Sequence, residues 1–234
     1  MQNKVIYDNS GINLSFKSYV SKVFGFVALG LLISGVISYF TATNFQVLAF
    51  ILGPLGTIIL VIAELGIAIF FSARLMSMNK RTAYICYFLY SILTGLSLSF
   101  IFAAYDIKSI TFAFVSTTVL FICMAILGHN TNLDLTKASS YLFGGLISII
   151  ISTLLNVLIF KSSTFDLIIS YVAVIIFLVL IAYHMQKLRN LYNAGLNDGE
   201  LYEKLLILGS FQLYLDFINL FLQILSIFSR RRRD

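Results

Sequence analysis

The sequence predicts an all-α membrane protein of seven transmembrane helices, and three observations carry the prediction. Hydrophobic residues make up 59% of the 234 and charged residues only 11%, against about 25% charged in an ordinary soluble domain. Mean hydropathy is +0.95. Runs with few or no charges, close to the roughly 20 residues needed to cross a bilayer, lie at 23–40, 45–71, 84–104, 110–127, 141–160, 167–183 and 205–228. Backbone groups in hydrocarbon must be bonded internally, so continuous apolar runs mean helices; a barrel would alternate.

Residues 1–22 form a polar N-terminal segment with Lys4, Lys17 and Lys22. The apolar run that follows is too long for a signal-peptide core, so the first span is expected to be retained. Connections are short, which makes 23–228 one membrane domain and leaves 229–234 as a basic tail. In the first span Gly25, Gly30, Ser34 and Gly35 suit close helix packing. The second span holds Pro54 between Gly53 and Gly56, where proline either kinks the helix or marks its outer end. Ten residues on stands Glu64, an intramembrane carboxylate that is either a structural acid tied to a neighbouring helix or part of a functional site.

The third span puts Tyr84, Tyr87, Ser91, Thr94 and Leu98 on one stripe beside Gly95 and Ser97, hydroxyls that suit helix-to-helix bonding. Ser116 to Thr118 in the fourth span and Gly144 and Gly145 in the fifth read as packing features. Cys86 and Cys123 lie inside spans and are expected to be small core residues. The sixth span ends in Tyr183-His-Met-Gln-Lys-Leu-Arg189, where His184 either caps the helix or pairs with Asp216 at similar depth. In the last span Gln212, Asp216, Asn219, Gln223 and Ser226 recur at steps of four and three. That spacing puts them on one helix face, expected to look inward because a charge at the bilayer centre costs about 2.5–3.5 kcal/mol.

Basic residues set the orientation. The N-terminus and the loops after spans two (Arg74, Lys80, Arg81), four (Lys137) and six (Lys187, Arg189, Lys204) carry ten, and the opposite loops carry Lys108 and Lys161. This places the N-terminus in the cytoplasm. Seven full spans leave Arg230 to Arg233 outside, so either the other loops override the tail or the last helix is re-entrant. The net charge of +6 suits anionic lipid head groups, and nothing points to nucleic acid.

Tyr214-Leu-Asp-Phe-Ile-Asn-Leu-Phe221 resembles the last-helix signature of the Bax inhibitor-1 family, and Ala182-Tyr-His-Met-Gln-Lys187 resembles that family's motif at the end of helix six. Glu64 and the basic turn after it also match. The resemblance implies a last helix that is central and wrapped by two three-helix layers, a bacterial inner-membrane location, and a pH-responsive calcium leak sensed by paired aspartates on helices six and seven. It also implies modulation of a membrane-bound AAA protease by bacterial members. Carried over, Asp216 matches the helix-seven aspartate and Arg74 the gate arginine, while His184 replaces the helix-six aspartate. Two facing carboxylates share a proton by repulsion; an imidazolium facing a carboxylate attracts it, so the pH response is expected to be altered or reversed.

The reading is therefore a cation leak with Asp216, His184 and Glu64 on the pathway, Arg74 at the gate, and Gln212, Asn219 and Gln223 along the polar stripe. Calcium enters as the permeant ion, with Asp216 and Glu64 its candidate ligands, and no cofactor is expected. The alternative is a membrane-embedded regulator of an AAA protease or stress response without transport. An enzyme is not expected. There is no Gly-x-Gly-Asp around Asp216, Gly95-Leu-Ser-Leu98 lacks a closing glycine, and His129 belongs to no His-Glu-x-x-His motif.

Overall fold

Among the described residues seven helices are long and apolar enough to cross a membrane, and the protein is an integral membrane protein. The computed structural model describes residues 15–131 and 133–230, with no strand among them. The elements are α1 Phe16–Thr43, α2 Phe45–Leu52, α3 Pro54–Arg74, α4 Lys80–Ala104, α5 Ile107–Asn130, α6 Ser139–Leu155, α7 Ser163–Gly195 and α8 Gly199–Arg230. A 3-10 turn, Leu135–Ala138, leads into α6, and a π turn, Asn156–Phe160, ends it. Lys4 and the arginines from 231 to 233 lie outside the described residues.

Local chemistry explains the boundaries. Ser15 accepts from the Ser18 amide at 3.2 Å to cap α1, and Asp106 accepts from the Ser109 amide at 3.1 Å to cap α5. The run at 45–71 is not one helix. Pro54 takes the first position of α3, where its missing N–H is no loss, and the Gly53 amide turns back to the carbonyls of Ala49 and Phe50. Proline thus marks the end of a span rather than a kink within it, and leaves the eight-residue α2 too short to cross. Lys161, in the left-handed region at φ 47°, closes the π turn.

The chain forms two compact units: residues up to Ala104 with Leu188–Tyr214, and Tyr105–Lys187 with residues from Leu215 onward. In the first, α1 packs on α4 through small residues. A Cβ on Gly95 would meet Ser34 O and Ile37 Cβ at 2.8 Å, and one on Gly30 would collide with the Tyr87 hydroxyl. Hydrogen bonds join them too: the Tyr87 hydroxyl donates to Phe26 O at 2.6 Å and Ser34 Oγ to Ser91 O at 2.7 Å. Between lipid-bathed helices this close approach and bonding replace the hydrophobic drive of a soluble core. Gly25 and Gly35 meet nothing within 4 Å, so only part of the small-residue set packs. Lys204 Nζ, in the same unit, donates to the carbonyls of Met76 and Met78 at 3.3 and 3.1 Å.

In the second unit a Cβ on Gly128 would collide with the backbone of Ala182, so α5 and α7 cross at backbone distance, and Gly145 lies against Ile176. Phe114 and Phe121 pack on Phe217 with ring centroids 5.6 and 5.5 Å apart. Cys86 is buried as expected, but Cys123 is exposed. Cys123 sits on the side of α5 away from Phe121 and Ala125, among exposed Val119, Ile122 and Ile126.

Helix α8 is uninterrupted over 32 residues, about 48 Å at 1.5 Å per residue. A re-entrant segment needs a break, and none occurs. Within its apolar window 67% of residues are buried, against 11–39% in the other spans.

Candidate functional site

His184 and Asp216 meet. The carboxylate of Asp216 is 5% exposed and the imidazole of His184 15%, with Nδ1 and Oδ2 2.6 Å apart. An ionised carboxylate only accepts, so Nδ1–H donates. Of the two sequence readings of His184, helix cap or partner, the structure has the partner.

Neighbouring residues hold the two elements. Two positions before His184, Ala182 sits against Gly128, whose missing side chain lets α7 come close. Two positions after it, Gln186 grips the turn between α5 and α6: Nε2 donates to Leu133 O at 2.8 Å and Oε1 accepts from the Leu135 amide at 2.9 Å. Sequence reasoning missed both. The family motif contains Gln186, but its partner lies 51 residues away, and nothing local marks Gly128 as a crossing point.

Of the polar stripe on α8, Asp216 is buried, while Gln212, Asn219, Gln223 and Ser226 are half-exposed. Asn219 spends its amide on its own helix, donating to Leu215 O at 2.9 Å. The expected inward face is therefore not the polar one. Leu213, Tyr214, Phe217, Leu220, Phe221, Ile224 and Leu225 are all buried, and the stripe runs along the edge of that wider apolar surface.

Glu64 lies in the first unit, on α3, half-buried with Oε1 shielded from solvent and without a hydrogen-bond partner. The Ser97 hydroxyl lies beside its carboxyl, and Tyr90 and Tyr214 lie within electrostatic reach. Tyr214 shares a 2.6 Å hydrogen bond with Ser34. Arg74 ends α3 with an exposed side chain and no ion pair to a described residue. Among the described residues no three His, Cys, Asp or Glu side chains converge as a metal cage.

The family model described as "Inhibitor of apoptosis-promoting Bax1" matches residues 16–233. An uncharacterized protein of Borreliella burgdorferi is 38% identical over 217 residues, 92% of this chain and 93% of that one. A Rickettsia prowazekii protein is 38% identical over 96% of this chain and 94% of its own length. The Escherichia coli inner membrane protein YbhL is 36% identical over 92% and 93%. With the helical architecture and a match across nearly its whole length, the chain belongs to the Bax inhibitor-1 family of membrane proteins.

Proposed function

We propose that the protein is a cation leak pathway, with calcium as the permeant ion and the His184–Asp216 pair as its pH-responsive latch. The observation that carries the reading is the 2.6 Å contact between an imidazole and a buried carboxylate. Histidine changes charge in the physiological range. As pH falls, an imidazolium strengthens the latch; at lower pH still, protonating the carboxylate removes the charge it holds. Conductance therefore falls first and rises only when the carboxyl is neutralised, opposite in its first limb to a two-carboxylate latch. Glu64 supplies a second carboxylate on the route and Arg74 acts near its cytoplasmic mouth. Helix α8, carrying Asp216, ends in the basic tail. The excess of basic residues in alternate loops supports a cytoplasmic N-terminus, and YbhL, an inner membrane protein, supports the same membrane for this chain.

The test is calcium flux into dye-loaded liposomes across pH for the wild type, Asp216→Asn and His184→Asp. Expected are flux in the wild type, loss of its pH dependence in Asp216→Asn, and an inverted low-pH limb in His184→Asp. An unchanged profile in His184→Asp removes the pair as sensor. Absence of flux in a folded wild type leaves the second class, a membrane-embedded regulator of a membrane-bound AAA protease.

A further inference from the structure

We infer that Glu64, with the hydroxyls of Tyr90, Thr94, Ser97 and Tyr214, forms a site for a monovalent cation at the middle of the first unit. The inference does not rest on the calcium reading above: it gives Glu64 a resident monovalent ion in place of a step on the calcium route. Glu64 is the eleventh residue of the 21 in α3, the midpoint of that span. Tyr90, Thr94 and Ser97 follow at steps of four and three on α4, which places them on one face.

Three observations converge there. Glu64 has no ion pair with a described residue. Glu64 Oε1 is shielded from solvent and accepts from nothing. Thr94 is 6% exposed, and its hydroxyl lacks a well-formed hydrogen bond although it lies beside the hydroxyls of Tyr90 and Tyr214. A shielded carboxylate oxygen and a buried hydroxyl, both without a well-formed hydrogen bond, are a costly arrangement, and a cation answers both.

The donor set decides the kind of cation. All its atoms are oxygens, which suit hard ions, and no thiol or imidazole contributes. One carboxylate with neutral hydroxyls is balanced by a single positive charge. A divalent ion on that single carboxylate would leave a net charge at the depth where hydrocarbon penalises it most, and the group beside the Glu64 carboxyl is the neutral Ser97 hydroxyl. The alternative occupant is a proton, which would make Glu64 a donor to Thr94 and leave no room for an ion.

The experiment measures thermal unfolding of the full chain in nanodiscs in sodium chloride against choline chloride at matched ionic strength, with calcium chloride as a separate arm. Sodium at ten times its dissociation constant should raise the midpoint by about 3 °C, and Glu64→Gln should abolish the shift. Thr94→Val and Ser97→Ala keep the carboxylate and should each weaken the apparent sodium affinity by at least about threefold. The inference is overturned by a wild type that responds equally to sodium and choline, by a sodium shift that survives Glu64→Gln, by hydroxyl variants that bind as the wild type does, or by a calcium shift that depends on Glu64. A sodium shift in a protein whose liposomes carry no calcium upholds this site and removes the leak reading alone.

Discussion

Replacing His184 with alanine should destabilise the protein more than neutralising its partner does. The two groups are 2.6 Å apart, with the carboxylate 5% exposed. At an effective dielectric of 20, full charges at that separation attract by about 6 kcal/mol gross. Withdrawing each ion from water takes back several kcal/mol, so the intact pair contributes little net. Orphaning one charge is different and costs about 3–5 kcal/mol. Proton uptake caps the loss, because neutralising an ordinary aspartate costs about 4 kcal/mol at pH 7 and about 1.5 at pH 5. Asp216→Asn removes the charge and leaves a neutral imidazole, a change of about 1 kcal/mol. At about 2–4 °C per kcal/mol for a chain of this size, His184→Ala should lower the unfolding midpoint by about 10 °C at pH 7 and Asp216→Asn by about 3 °C.

The chain has no tryptophan, but Cys86 is buried and Cys123 exposed, so a thiol-reactive dye in a Cys123→Ser background reports unfolding through Cys86. The double variant His184→Ala/Asp216→Asn should recover most of the loss, and the His184→Ala penalty should shrink towards pH 5. An Asp216→Asn variant as unstable as His184→Ala, or a penalty independent of pH, would show that the carboxylate is not held as a buried anion.

Further outcomes follow from the packing. Gly128→Ala drives a Cβ into the Ala182 backbone and should cost about 1–3 kcal/mol by overpacking, whereas Gly144→Ala, with nothing within 4 Å, should be neutral or gain up to about 1 kcal/mol of helix propensity; paired thermal melts decide. Gln186→Ala removes both bonds to the α5–α6 turn and should speed amide exchange at Leu135 about five- to tenfold. The Asp134 carboxyl is held below the usual carboxylate range by the hydroxyl and backbone N–H of Thr136. The ionised form therefore supports the turn at neutral pH, and that support is lost as pH falls through the lowered value. NMR titration should place it higher in Thr136→Val.

Seven spans were legible because the solvent imposes them: hydrocarbon tolerates few charges and no unbonded backbone, so span and loop differ in composition at every boundary. The same penalty made Asp216 and Glu64 conspicuous, and the end of the sixth span brought His184 into range. The break at Gly53 and Pro54 was legible as a pair of alternatives, which the redirected Gly53 amide resolves. The stripe on α8 misled for a physical reason. Periodicity reports which residues share a face, and an inward direction was inferred from the cost of exposing polar groups to lipid. That cost falls hardest on an ion, so it fixes Asp216. Amides such as Asn219 escape it by bonding to their own helix, and are free to lie at the edge.

What stayed hidden was pairwise. Gly128, one of 14 glycines, gains its meaning from Ala182; Gln186 gains its from a turn 51 residues away. Thr94 looked like one more hydroxyl bonding helix to helix, as Ser34 does in donating to the Ser91 carbonyl at 2.7 Å. Thr94 differs in that its buried hydroxyl lacks a well-formed hydrogen bond, as does Oε1 of Glu64 on α3. One unsatisfied group in a membrane interior is a defect that packing tolerates. Two on neighbouring helices, one of them a carboxylate oxygen with no described countercharge, are groups that one monovalent cation would satisfy together.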